Sequence, residues 1–396
     1  MDTSSRFSSG DLLQPPDCDR IEADAEEALA ETVKFVLRTA AYERTDRLWP
    51  AESLVYDTNP LSVAYGACGP ALFLSSPDTP TALPRRAMQW ILDRPLSTDE
   101  YPPGLFLGLA GIACTMLRLG AVEHAVGAMD LALQSPLLFE EPGLLLGVAG
   151  WGLAALDLFD ATRDAIWLNW AVRGGDHLLR CAQPDHGKSY WIRSTDGQTH
   201  FGFGHGASGI ALFLLRLQQA SGRQVYGEAA ARAMEFDLSN GTDSEYGCAW
   251  RRFQGDNLVM PYLLHGSAGV GSVALRFYEA TGESRYLKEA ERIAHGQFIK
   301  FTVTPGLLEG LAGIGEFLLD SYRVTGHVEY RNRALDLTDS LLWFRIRTDD
   351  GSAWPGRWLN NMSNDYAAGA AGIGLFLARL LRPGPGPRPF LDPLSA

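Results

Sequence analysis

No apolar stretch of about twenty residues follows a basic start in this chain of 396 residues, so neither a signal peptide nor a membrane span is indicated. Basic runs are missing as well. Lysine and arginine together number 34 against 47 aspartates and glutamates, and the net charge of −13 argues against nucleic acid as a partner. Cysteine is scarce: Cys18, Cys68, Cys114, Cys181 and Cys248 are odd in number and scattered. That pattern offers no disulfide framework and fits free thiols in a reducing cytoplasm, the expected location. Cys68 and Cys114 stand in apolar helical text as small core residues, and Cys248 sits in a loop without metal-ligand spacing. Nor does a Pro/Ser-rich linker divide the chain between about residue 20 and residue 382, so one large domain is expected.

Glycine, by contrast, is abundant and ordered. An apolar stretch, then Gly-x-x-Gly, then an apolar run recurs seven times, opening at Gly66, Gly108, Gly147, Gly206, Gly266, Gly310 and Gly369. Successive copies lie roughly 40 or 60 residues apart, room for a helical hairpin and its loops. Glycines three apart at the start of a buried helix let neighbouring backbones approach closely. The following runs, such as residues 210–215 and 314–319, carry almost no polar face and belong inside. Between them, residues 285–294 and 330–337 space apolar positions three or four apart among charges, as amphipathic outer helices do. The turns ending at Gly222, Gly282 and Gly326 supply helix stops.

An alternation of buried and amphipathic helices repeated seven times can close on itself. An open superhelix would need polar capping repeats, and the terminal copies here are as apolar as the middle ones. The expectation is therefore an all-α chain folded as an α/α toroid, a double-layered barrel of seven helical hairpins spanning residues 18–382. A mobile polar tail over residues 1–17 precedes it, and a Pro/Gly-rich tail over 383–396 that cannot continue a helix follows it.

Seven Gly-x-x-Gly inner helices wrapped by Ala- and charge-rich outer helices resemble the lanthionine synthetase C-like family, the cyclases that make thioether rings in lanthipeptides. The resemblance covers almost the whole chain. In zinc-dependent members the fourth unit carries a His before its glycine pair, the fifth a Trp-Cys-Tyr-Gly and the sixth a Cys-His-Gly. Here Phe203-Gly-His205-Gly206 keeps the first of these. Leu264 and His265 stand at the cysteine and tyrosine positions of the fifth unit, and Leu308 and Glu309 replace the Cys-His of the sixth. All three zinc ligands are absent, as in the zinc-free cyclases: the C-terminal domains of class III synthetases and the stand-alone enzymes of class V systems. The Met start and the lack of a kinase-like segment favour the stand-alone form, although an excised domain given its own Met would look the same.

The resemblance implies addition of a peptide cysteine thiol to dehydroalanine or dehydrobutyrine, with a dehydrated precursor peptide as substrate, no cofactor, and kinase-like and lyase proteins as pathway partners. The nucleophile is the thiolate, and a free cysteine is only a few per cent ionised at neutral pH. Without metal, a histidine and the positive ends of several helices must supply the difference. Residues just before equivalent glycines lie at one level of a toroid, so His205, His265 and Glu309 should be neighbours, with Tyr65 from unit one and Asp365 from unit seven beside them. Units two and three offer only Leu107 and Leu146. His205 is the expected general acid/base, and His265 the group that assists thiol deprotonation. Plainer roles compete: Glu309 as a complement to a helix N-terminus, Asp365 as an N-cap, Tyr65 as a packing aromatic. Trp191 with Arg193, Trp250 with Arg252, and Arg357 with Trp358 recur before units four, five and seven. They either form a rim that grips an extended peptide, or cover helix ends and pair with surface carboxylates.

Two other classes share parts of this pattern. Six-hairpin glycosidases use the same toroid but need two opposed carboxylates, a role open to Glu309 and Asp365. A non-catalytic scaffold that binds the precursor is the other.

Overall fold

Each glycine pair opens a helix whose start is crowded by its own preceding loop. A Cβ on the second glycine, at Gly69, Gly111, Gly150, Gly209, Gly269, Gly313 or Gly372, would meet the carbonyl oxygen of the residue six positions earlier at 1.7–2.6 Å. Every other residue type is therefore excluded at all seven places, which is why the pair repeats.

The computed structural model describes residues 17–244, 247–382, 384 and 386–394. Helix α1 (Cys18–Arg38) and the single turn α2 (Leu54–Asp57) lead into an alternation of inner and outer helices. These are α3 (Cys68–Ser75), α4 (Arg85–Leu92), α5 (Leu109–Arg118), α6 (Val122–Ala132), α7 (Val148–Thr162), α8 (Ala165–Cys181), α9 (Ala207–Ser221), α10 (Gln224–Ser239), α11 (Ser267–Thr281), α12 (Ser284–His295), α13 (Leu311–Thr325), α14 (Val328–Leu341) and α15 (Ala370–Leu380). The odd members from α3 onward are inner: Ala207 to Leu217 of α9 are buried without exception. The even members from α4 onward are outer: α12 buries only Tyr286, Ala290, Ile293 and Ala294. Gly222, Gly282 and Gly326 stop α9, α11 and α13 in the left-handed conformation, at φ of 69°, 70° and 72°.

The inner helices close into a ring, with α15 packed against α3 as well as α13. At the glycine ends a circle of backbone hydrogen bonds joins the loops. Ala64 N donates to Phe106 O, Phe106 to Leu145, Leu145 to Gly204, Gly204 to Leu264, Leu264 to Leu308, Leu308 to Ala367, and Ala367 back to Ala64, at 2.8–3.3 Å. All seven residues stand two places before the first glycine of their pair. Aromatic wedges add to the closure: the rings of Phe213, Phe317, Phe376 and Phe73 lie on Gly152, Gly271, Gly315 and Gly374, where a Cβ would come within 2.3–2.5 Å of them. The last of these contacts joins the seventh inner helix to the first.

Only six of the seven pairs are hairpins in sequence. The outer partner of α15 is α1, which packs on α15 and α14, so the two ends of the repeat array assemble the seventh pair. Three antiparallel additions explain the longer repeat spacings: β1 (Gln183–Asp185) with β2 (Lys188–Tyr190) after α8, β3 (Thr242–Ser244) with β4 (Gly247–Arg251) and β5 (Val259–Met260) after α10, and β6 (Ile346–Thr348) with β7 (Gly351–Ala353) after α14.

The expected C-terminal tail is corrected in part. Within the stretch expected as a C-terminal tail, residues 386–394 return into the barrel: Phe390 and Leu391 are buried, and Arg388 pairs with Glu316 and Asp320. A chain that carries this much buried surface is part of the core. Of the expected N-terminal tail, residues 1–16 lie outside the described residues, and Asp17 caps α1 by accepting from Arg20 N.

Candidate functional site

The site is built on the loops that precede the inner helices of units four and five. The loop entering α9 is held from several sides. Phe201 N donates to Arg252 O, Gln254 N to Thr199 O, and Gly204 N to Leu264 O. The Asp237 carboxylate accepts from Gly202 N at 2.9 Å and from Ser208 N at 2.7 Å. Burial raises the Asp237 carboxyl to about 6 in spite of these bonds. The loop entering α11 turns at Gly266, whose φ of 105° and closeness to Met260 O admit only glycine.

These loops bring His205 and His265 together with ring centroids 5.4 Å apart and planes inclined by 26°. Both rings are half-buried. A third imidazole joins them, His200, at 5.4 Å from His205 and 6.3 Å from His265. His200 is buried, its Nε2 lies 2.9 Å from Asp196 Oδ2, and its Nδ1 has no partner. His265 Nδ1 is likewise buried and unpartnered.

Electrostatics keep the two mouth histidines uncharged. Burial lowers His205 well below its ordinary value, and the charges of Arg193, His265 and His200 act in the same direction. Burial also lowers His265, to about 3, helped by His200, Arg252, Arg357 and Arg193. Each arginine is tied to a carboxylate: Arg193 to Asp196 at 3.0 Å, Arg252 to Asp256 at 2.6 Å, and Arg357 to Glu309 at 2.9 Å. The Asp256 carboxyl is drawn down to about 2, chiefly by its bond from Arg252. Glu141 anchors the Arg193 loop by accepting from Ser194 Oγ at 2.7 Å and Thr195 N at 2.9 Å.

The expected site residues thus separate into two groups. His205, His265 and Glu309 share one sector of the mouth, with Arg193, Arg252 and Arg357 around them. Tyr65 borders the same sector, its phenol held neutral by burial and by the carboxylates of Asp365, Glu309 and Glu52, against the opposing pull of Arg357. Asp365 leaves the chemical set: it is buried and accepts from Ala368 N, Gly369 N, Glu52 N and the Ser363 hydroxyl, the plain capping role. Trp191 and Trp250 leave it too. Both are buried, with indole N–H groups bonded to Leu178 O of α8 and Asp237 O of α10, so they lock strands to outer helices and present no rim surface. Trp358 is 65% exposed beside Arg357 and remains available to a peptide.

His200, Asp196 and Glu141 were missed in the sequence. His200 had a legible signal, since it precedes His205 by five residues in the same loop; Asp196 and Glu141 reach the site only through tertiary contacts.

A family model described as lanthionine synthetase C-like protein matches residues 128–391. The chain belongs to the lanthionine synthetase C-like family. A relative from Streptomyces coelicolor, named probable SapB synthase, is 30% identical over 366 residues, covering 90% of this chain and 38% of its own length. The chain thus spans under two fifths of that relative. Among solved structures, nisin cyclase superposes with a TM-score of 0.63 at 13% identity, covering 91% of this chain and 94% of its own. An α-1,2-mannosidase from Trichoderma reesei gives 0.55 at 12% identity, covering 92% of each chain. At such identities these two likenesses establish the fold alone.

The three zinc-ligand positions that the resemblance implies for zinc-dependent members hold other residue types here. Leu264 and Leu308, where the resemblance implies cysteines in such members, are both buried and engaged through their backbones in the hydrogen-bonded circle. Glu309, where they carry His, turns its carboxylate to Arg357. Among the described residues no three His, Cys, Asp or Glu side chains converge as a metal-holding group.

Proposed function

We infer that this protein is a zinc-independent lanthipeptide cyclase, closing thioether rings by adding cysteine thiols of a precursor peptide to its dehydroalanine or dehydrobutyrine residues. The observation that carries this is the packing of imidazoles within 5.4–6.3 Å of one another at the glycine mouth of a family member. The family description and the printed name of its relative, probable SapB synthase, support the same class of activity.

In this proposal the substrate cysteine enters beside His265, whose neutral imidazole takes the thiol proton. Helices α9, α11 and α13 present their positive N-terminal ends to the mouth, and together with the nearby arginines they favour the thiolate. Lowering a thiol pKa by about 1.5 units needs roughly 2 kcal/mol of preferential thiolate stabilisation, within reach of one charged partner plus helix ends. The thiolate attacks Cβ, the π pair moves toward the carbonyl as an enolate, and the proton taken by His265 passes through the imidazole cluster to His205, which delivers it to Cα. Arg193, Arg252, Arg357 and Trp358 border the entrance and would hold the peptide backbone and its side chains. Kinase-like and lyase proteins would supply the dehydrated residues.

The glycosidase alternative is disfavoured because Asp365 is fully used in capping and Glu309 is paired with Arg357. Mass spectrometry of a dehydrated, cysteine-containing precursor with thiol alkylation tests the proposal. Loss of alkylatable thiol without a mass change supports cyclisation, and unchanged alkylation with and without the protein would refute it. Elemental analysis tests the metal-free part separately: about one zinc per chain, lost on His205→Ala or His265→Ala, would overturn it.

A further inference from the structure

Three imidazoles lie together at the mouth, and among the described residues one of them, His200, touches a carboxylate. His205 feels the positive charge of Arg193, and His265 that of Arg252, Arg357 and Arg193, whereas His200 Nε2 sits 2.9 Å from Asp196. Glu141, Asp256 and Glu309 pair with arginines, whereas Asp196 Oδ2 is shared between Arg193 Nη1 at 3.0 Å and His200 Nε2 at 2.9 Å, which makes Asp196 the carboxylate among these four in contact with an imidazole. His200 is packed against Phe253 at 5.5 Å and is only 7% exposed, more buried than His205 and His265. Its remaining ring nitrogen, Nδ1, is buried without a partner, and so is Nδ1 of His265. Buried polar atoms are rarely left unpaired, and two in one imidazole cluster mark a place where a proton or a polar ligand group is received.

We propose that Asp196 and His200 form a proton reserve beside the two mouth histidines, so that the proton released by the substrate thiol rests on His200, opposite the Asp196 carboxylate, while the new ring closes. This rests on the cyclase reading. The balance is simple: the S–H bond breaks and an N–H bond forms within the imidazole set, the C–S bond forms at Cβ, and the enolate Cα then takes one proton from the set, which returns to its starting state. His200 acts through His205 and His265 and is a positioning residue in this scheme. Asp196 supports it from a partly solvated position, its own carboxyl lying below the ordinary value: burial opposes this, but bonds from Gln198 N and His200 and the charge of Arg193 outweigh it.

Two measurements test the proposal on the full chain. Long-range 15N–1H imidazole spectra, followed over pH without peptide, should show His200 taking up a proton before His205 and His265 as the solution is acidified, and Asp196→Asn should remove that precedence. The pH–rate profile for ring closure on a dehydrated peptide should keep its shape but move its rising limb to lower pH in Asp196→Asn, with a plateau about tenfold lower, because the amide keeps the hydrogen bond and loses the charge. Protonation of His205 or His265 ahead of His200, or an unmoved limb in Asp196→Asn, would overturn the proposal. If the wild type closes no rings, the cyclase reading fails, and the order of protonation still decides whether the reserve exists.

Discussion

The two ends of the barrel bury charge in opposite ways. At the end away from the glycine mouth, Arg276, Arg379 and Arg388 meet Asp320, Glu316 and Asp392 in one network, with Arg276 Nη2 2.8 Å from Asp392 and Arg388 Nη1 3.0 Å from Asp320. Asp320 is wholly buried, yet the three arginines around it hold its carboxyl well below the ordinary range. Every member has a partner of opposite sign, and the C-terminal segment supplies two of the six. At the mouth the balance is left open. Two imidazole nitrogens are buried without partners, and burial, helped by the arginines nearby, pushes His205 and His265 toward the neutral form. Complete pairing closes the barrel; incomplete pairing leaves groups free to exchange protons. The difference separates a structural use of buried polarity from a chemical one.

Breaking the far end should have the largest effect. Asp320→Ala leaves three buried arginines short of a counter-charge and should cost about 3–5 kcal/mol of stability. Denaturant unfolding would register this, and ring closure per folded molecule should stay near the wild-type rate. A loss below about 1 kcal/mol would mean that the network is worth no more than a surface pair.

Next comes the mouth itself. His205→Ala and His265→Ala should slow ring closure about a hundredfold or more while melting close to the wild type. Raising the pH toward the free cysteine value of about 8.5 should rescue the variant that lost the base and leave the one that lost the acid slow. Equal, undiminished rates in both would remove the imidazoles from the chemistry.

A milder probe sits on the rim. Glu309→Gln breaks a partly exposed pair with Arg357, so stability should fall by only about 0.2–1 kcal/mol. The freed guanidinium should change KM for the peptide more than kcat, and steady-state kinetics would separate the two. A kcat loss as deep as that of His205→Ala would place Glu309 in the chemistry.

The smallest effect is a pH dependence. His205 and His265 have folded values below the unfolded 6.5, so the unfolded chain binds protons that the folded chain refuses. Their contribution to stability is therefore intact above pH 6.5 and is lost progressively as the pH falls below it. Urea midpoints at pH 7.5 and 5 should converge in a His205→Gln/His265→Gln double variant relative to wild type. Equal acid sensitivity in both would show that the histidines are not the refusing groups.

The toroid was legible because its cause is local and repeated. A loop carbonyl occupies the Cβ position of the second glycine in every unit, so the constraint is written into the text seven times. His205 and His265 were legible for the same reason: a residue one place before a glycine pair has a fixed level in the ring. The roles of Trp191 and Trp250 were not, because the same side chain can cover a rim or hook an outer helix. The carbonyl it finds, on Leu178 or Asp237, is placed by packing.

By itself, then, the sequence determined the repeat, the inner and outer character of the helices, and which units carry imidazole at the mouth, since each follows from short-range spacing and sterics. Tertiary structure alone decided that α1 completes the seventh pair, that residues 386–394 enter the barrel, and that His200 stands beside His205 in contact with Asp196. Those outcomes depend on ring closure, which sets groups side by side in space without regard to their order along the chain.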